Sequence, residues 1–135
     1  MRSLFVILCV AILGASTHHL PETEKHKLKE IHDVCQANPA THVDEKLLKK
    51  LTENVDNKKV GSHLLCMAVK VGLLTPDGDL VKDVIREKII IASHDPSKVD
   101  ELLKKCSVKH ETPEKTAVHM LVCFIQNDIH YHHDL

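Results

Sequence analysis

The stretch GLLTPDGDLVKDV, residues 72–84, decides how the chain is read, because PDGD is either a calcium loop or a turn between two helices. An EF-hand loop needs oxygen ligands at positions 1, 3 and 5, glycine at 6 and a bidentate glutamate at 12. With Gly78 at position 6, Leu73 falls at position 1 and Val84 at position 12, so both end ligands would be apolar. Thr75-Pro76-Asp77-Gly78 instead supplies the proline and glycine dihedrals of a tight turn between two apolar segments.

Both flanking segments have helical period. Upstream, about Lys58 to Leu73, Val60, Leu64, Met67, Ala68 and Val71 form one stripe, with Leu65 and Cys66 on other faces, so this third helix is expected to be enclosed. Downstream, a fourth helix from about Asp79 carries Leu80, Val81, Val84, Ile85 and Ile89 to Ile91. A first helix has Pro21 at its first position, places Leu28, Ile31 and Cys35 on one face, and ends near Asn38-Pro39. A second, about Val43 to Asn54, sets Leu47, Leu48 and Leu51 among lysines. A fifth starts at Asp95-Pro96 with Val99, Leu102, Leu103 and Cys106 at helical spacing, and a sixth at Thr112-Pro113 contains AVHMLVCFI, residues 117–125. Almost nothing alternates with period two and no repeat occurs, so the chain reads as one all-α domain whose third and sixth helices are central.

The opening MRSLFVILCVAILGAS pairs one arginine with an apolar run of about ten residues and a small-residue end, which reads as a secretory signal peptide rather than a membrane span. Cleavage after Ser16, or after Ala15 as the second choice, would leave residues 17–135 as the mature domain in an extracellular fluid. Either cut leaves a histidine third from the new amino terminus, a nitrogen set that Cu(II) and Ni(II) accept, to which no physiological metal role is assigned. Basic residues are scattered and locally paired with acids, as in ETEKHKLKE, so no one-signed face exists for nucleic acid. With Cys9 in the leader, Cys35, Cys66, Cys106 and Cys123 remain, an even set that favours two disulfides in an exported domain, with three connectivities open.

Six helices in a small exported chain, with CMAVKVGLLTPDGDL (66–80) at the junction of the third and fourth, resemble the insect pheromone-binding and general odorant-binding protein family. That family usually has six cysteines, the second lying four residues before the third and the fifth nine before the sixth. Cys35, Cys66, Cys106 and Cys123 fit the first, third, fourth and sixth, and the missing pair falls on Ser62 and Glu114. The chain is therefore similar to the four-cysteine branch. The resemblance implies bridges Cys35–Cys66 and Cys106–Cys123 and a compact six-helix fold enclosing a hydrophobic cavity. It also implies carriage of a small lipophilic ligand, a membrane receptor as a further partner, and a monomer or weak homodimer.

On that reading the cavity wall is expected from the inward stripes of four helices. Leu48 and Leu51 come from the second, Leu64, Met67, Ala68 and Val71 from the third, and Val84, Ile85 and Ile89 from the fourth. Val118, Leu121, Val122 and Ile125 come from the sixth, with His119 as one polar contact or as a core-edge histidine bonded to backbone. Beyond the leader the only aromatics are Phe124 and Tyr131, so selection by the length and shape of an aliphatic or terpenoid-like ligand is expected, with micromolar affinity from about 0.8 kcal/mol per buried methylene less the costs of binding. The tail HYHHDL reads either as a participant in the acid-triggered release known in the wider family or, more simply, as a solvated end. No cofactor motif or catalytic constellation is present: Ser62 and His63 are sequence neighbours that point apart on a helix, and there is no Gly-x-Ser-x-Gly elbow. The rival reading is a secreted helical protein with a filled core that binds another protein or a membrane through its lysine-rich second helix.

Overall fold

A computed structural model of the chain describes residues 20–93 and 95–133; the leader, its cleavage point and the histidines that follow it lie outside the described residues. The described residues form six α-helices: α1 Glu22–Ala37, α2 Glu45–Lys49, α3 Lys58–Val71, α4 Lys82–Ala92, α5 Val99–Cys106 and α6 Pro113–Gln126. Single 3-10 turns at Leu51–Glu53 and Pro96–Lys98 follow α2 and precede α5, and the one extended feature among the described residues is an isolated antiparallel bridge between Leu74 and Leu80.

Three helices start later than their apolar pattern suggests, because side chains or a turn claim the backbone first. Val43 exchanges both of its backbone groups with the Gln36 amide: its N–H donates to Oε1 at 2.8 Å and its carbonyl accepts from Nε2 at 2.7 Å. The second helix therefore begins only after Asp44, whose carboxylate caps the N–H of Lys46. Residues 73–81 fold as a small hairpin, with Thr75 N–H donating to the Asp79 carbonyl and Val81 N–H to the Leu73 carbonyl, both at 2.9 Å, which delays α4 to Lys82. Asp95 caps the 3-10 turn through Ser97 N–H, and α5 follows at Val99. Thr112 and Pro113 do open α6, the threonine hydroxyl accepting from Lys115 N–H.

The PDGD turn closes through Gly78 N–H to the Thr75 carbonyl at 2.9 Å and packs on the start of α6. Gly78 sits at φ +86°, and a Cβ there would stand 2.8 Å from Pro113 Cα. Both facts require glycine. Gly78→Ala is expected to cost about 2 kcal/mol or more, as left-handed strain joins a backbone clash; an unchanged urea midpoint would show that the turn relaxes away from α6.

α3 packs against α6 and α1, and α5 against α4 and α6, so the third and sixth helices are central, as their apolar content suggests. Close passage of α3 over α6 is marked by Gly61, where a Cβ would meet Glu114 Cβ at 3.0 Å. Disulfides Cys35–Cys66 and Cys106–Cys123 tie α1 to α3 and α5 to α6, the pairing implied by the family resemblance.

Candidate functional site

A cavity of about 440 Å³ lies between α1, α2, α3, α6 and the segment after α6. From α3 it takes Leu64, Ala68 and Val71, spaced at i, i+4 and i+7, with Met67 beside them. From α6 it takes Ala117, Met120, Leu121 and Phe124, again one helical face. Leu48 and Leu51 close the α2 side. Ile125, 46% exposed, and the exposed Lys49 mark where the lining meets solvent.

Eight of the expected wall residues are thus brought together: Leu48, Leu51, Leu64, Met67, Ala68, Val71, Leu121 and Ile125. Six others lie outside this lining. Ile85 and Ile89 are fully buried on α4, which packs on α5, and Val84 lies against Gly72 at the end of α3. Val118 is buried on a face of α6 away from the cavity. His119 stacks on His110, ring centroids 4.2 Å apart and 17° between planes, and with Val122 lines a smaller pocket of about 280 Å³ beside the Cys106–Cys123 bridge. That stack replaces the expected backbone bond of a core-edge histidine.

Sequence reasoning missed Ala117, Met120 and Phe124 on α6, and two whole segments besides. Leu28 and His32 on α1 line the cavity, and the signal was there: His32 lies four residues after Leu28 and three before Cys35, on the face that Cys35 turns toward α3. The segment after α6 was read most simply as a solvated end, whereas Ile129 and Tyr131 are 1% and 4% exposed and join the lining with His132 and His133. Both aromatics beyond the leader, Phe124 and Tyr131, therefore face the cavity.

One end of the cavity is polar. His32, 3% exposed, presents Nε2 to the Glu45 carboxylate at 2.7 Å, and its ring lies 4.5 Å from that of His133 and 5.0 Å from that of His63. His63, fully buried, donates from Nδ1 to the Thr41 carbonyl at 3.0 Å. Burial pushes the His63 and His133 imidazoles down to about 4, so both are neutral at pH 7. The His32 hydrogen bond holds the Glu45 carboxyl below its ordinary range, so that group is ionised.

The model of the PBP/GOBP family matches residues 17–127. The chain belongs to the PBP/GOBP family. Its relatives include the B2 and B1 proteins of Tenebrio molitor, 24% and 23% identical over 126 residues, each covering 92% of this chain and 97% and 95% of the relative. Two solved structures share the fold. The THP12 carrier protein from the yellow meal worm has a TM-score of 0.53 and 27% identity, covering 70% of this chain and 88% of its own. The fatty acid binding protein OBP56a from the oral disk of the blowfly Phormia regina has a TM-score of 0.60 and 25% identity, covering 82% and 96%.

In this PBP/GOBP protein the segment after α6 is fastened over the cavity by a buried ionic knot. Lys88 of α4, 3% exposed, donates to Glu24 Oε1 of α1 at 2.9 Å, and the Tyr131 hydroxyl donates to the other carboxylate oxygen at 3.1 Å. The Lys88 ammonium also sits 5.7 Å from the centre of the Tyr131 ring. His130 N–H donates to the Ala92 carbonyl at 3.3 Å, binding the same segment to the end of α4.

Proposed function

We propose that this PBP/GOBP-family protein is an extracellular, non-enzymatic carrier that holds one small hydrophobic molecule in the cavity between α3, α6 and the C-terminal segment. The observation that carries this reading is the cavity itself: about 440 Å³, within the range of about 300–1,000 Å³ typical of small-molecule sites, and walled mainly by Leu, Ile, Val, Met, Ala and Phe, with a polar end. Names of the structural relatives, a carrier protein and a fatty acid binding protein, support it. The apolar leader supports a secreted chain with residues 17–135 as the mature domain. Approach of Gly61 to Glu114 beside Ser62 supports membership of the four-cysteine branch, since those helices stand close enough for the bridge that branch lacks. Delivery to a membrane receptor as a monomer or weak homodimer completes the proposal.

A protein or membrane interaction module would need a filled interior and a continuous apolar surface. The large exposed apolar residues among those described, Val34, Ile90, Val108 and Ile125, come from four separate elements, and no described helix is long and apolar enough to cross a membrane.

Displacement of a fluorescent apolar probe from the oxidised protein tests the reading. Wild type is expected to bind the probe saturably at one site, and Ala68→Phe, which fills the cavity from α3, to lose at least about tenfold in affinity while keeping its helical circular dichroism. Absence of saturable binding by the folded wild type would overturn the carrier reading.

A further inference from the structure

We infer that the smaller pocket beside the Cys106–Cys123 bridge is a second binding site, and that it takes a short-chain carboxylate held by Lys105, His110 and His119. The site lies outside the large cavity and stands whether or not that cavity carries a ligand.

The lining sets the charge of the ligand. Every titratable group in it is a base: Lys105 from α5, His110 from the segment between α5 and α6, and His119 from α6. No Asp or Glu lines the pocket. Glu111, next to His110 in the chain, is bound to Lys115 at 2.7 Å, and Asp79 is bound to Lys109 at 2.6 Å, so both carboxylates already have cations. Lys105 Nζ donates to the neutral Asn127 amide oxygen at 3.0 Å, which leaves its charge and two of its three protons unanswered among the described residues.

The two imidazoles are ready to donate. They are half-buried, 4.2 Å apart and 17° from parallel, and neither makes a hydrogen bond within the described residues. Their ring nitrogens, unlike Nδ1 of His32 and Nε2 of His63, reach solvent. Two stacked imidazoles do not readily both take a proton, because like charges that close oppose each other. Burial, then the charge of His119, holds the His110 imidazole below its ordinary range, with Lys115 acting the same way and Glu111 against it. An anion seated against both rings and Lys105 offsets that repulsion, so anion binding and proton uptake favour each other.

The rest of the lining sets the size of the ligand. Val108 and Val122 supply apolar wall and the exposed Gln126 an amide donor, in a space of about 280 Å³ against about 440 Å³ for the large cavity. A carboxylate on a few carbons fits that space better than a long chain. Among the described residues no group of three or more His, Cys, Asp or Glu is placed to hold a metal ion, and three bases disfavour a cation.

Butyrate is the test ligand and butanol its uncharged counterpart, each titrated at constant ionic strength while the backbone-assigned imidazole NMR signals of His110 and His119 are followed. Butyrate is expected to move both signals saturably, at least about tenfold more tightly at about pH 5.5 than at about pH 7.5, and butanol to move neither. His110→Gln should cut that pH dependence to about threefold or less, and Lys105→Gln, at an exposed position, should weaken butyrate about three- to tenfold at both pH values. N-phenyl-1-naphthylamine held in the large cavity should stay bound throughout, although Met120 is common to both linings. Unmoved signals, equal shifts with butanol, or an affinity indifferent to pH would each overturn the assignment. Probe release in step with the shifts would also overturn it, by placing butyrate in the large cavity. If the probe itself does not bind, the carrier reading falls, while the NMR titration still decides this site. The wild-type titrations settle the matter even where a variant does not fold.

Discussion

Lys88→Ala is expected to lower the unfolding free energy by about 3 to 5 kcal/mol, the range for removing one partner of a buried ion pair. Lys88 is 3% exposed and the Glu24 side chain 17%, so truncation leaves a largely desolvated carboxylate with the Tyr131 hydroxyl and the more distant charge of Lys27. Burial pushes the Glu24 carboxyl up, but the hydrogen bond and charge of Lys88, with the Tyr131 hydroxyl, outweigh it and hold the group below its ordinary range. Burial, then the charge and hydrogen bond of Glu24, push the Tyr131 phenol far above its usual range, so it stays a donor. Glu87, 3.6 Å from Lys88, is exposed, so loss of that second contact adds little. The double variant Lys88→Met with Glu24→Leu removes both charges and should recover part of the loss, since similar apolar volume replaces the pair while the buried Tyr131 hydroxyl loses its acceptor. Urea unfolding of the two variants checks this; a single-variant loss under about 1 kcal/mol would show that the pair is not desolvated in solution. The same single variant should also weaken probe binding, because Tyr131 and Ile129 are cavity wall.

Acidification is the second large effect. His63 has an ordinary value of 6.5 and is held at about 4 by burial, partly opposed by its bond to Thr41. A depressed folded value means that the unfolded chain binds the proton first. The stabilisation is therefore complete above about pH 6.5 and is lost as the pH falls toward 4. At about 1.4 kcal/mol per unit, His63 alone accounts for a loss of about 3 kcal/mol over that window. His133, half-buried, acts in the same direction, its neighbours His32, His132, Lys29 and Asp33 all facing it. Glu24, with its carboxyl depressed, adds a further loss at lower pH. Unfolding free energies measured from pH 7 to 4 should fall steeply for wild type and more gently for His63→Gln, whose amide can still donate to Thr41. Identical slopes would remove His63 from the account.

Much of the architecture was legible because it rests on local chemistry. The apolar stripe of Val60, Leu64, Ala68 and Val71, the Thr112-Pro113 and Asp95-Pro96 starts, and the glycine of PDGD each specify backbone conformation within a few residues. The start of α4 was misplaced since Leu80 and Val81 fit a helical stripe, yet their backbone is used by the hairpin. Wall residues were harder. In AVHMLVCFI nearly every face is apolar, so periodicity could not choose between Val118 and Val122 on one side and Ala117, Met120 and Phe124 on the other. The same ambiguity placed Ile85 and Ile89 in the wall, whereas α4 packs on α5.

By itself the sequence determined six helices, the Asp95 and Thr112 caps, the turn at Gly78 and, through cysteine spacing and family resemblance, both disulfides. Those features depend on dihedral preference, apolar period and intervals along the chain. Only the tertiary structure decided which apolar faces meet to leave a cavity rather than fill it, and that Ile129, Tyr131, His132 and His133 close it. It alone joined Lys88 to Glu24 across 64 positions and Tyr131 to Glu24 across 107. A buried charge or an unpaired imidazole acquires its meaning from distant partners that exclude water from it, and no local pattern carries that information.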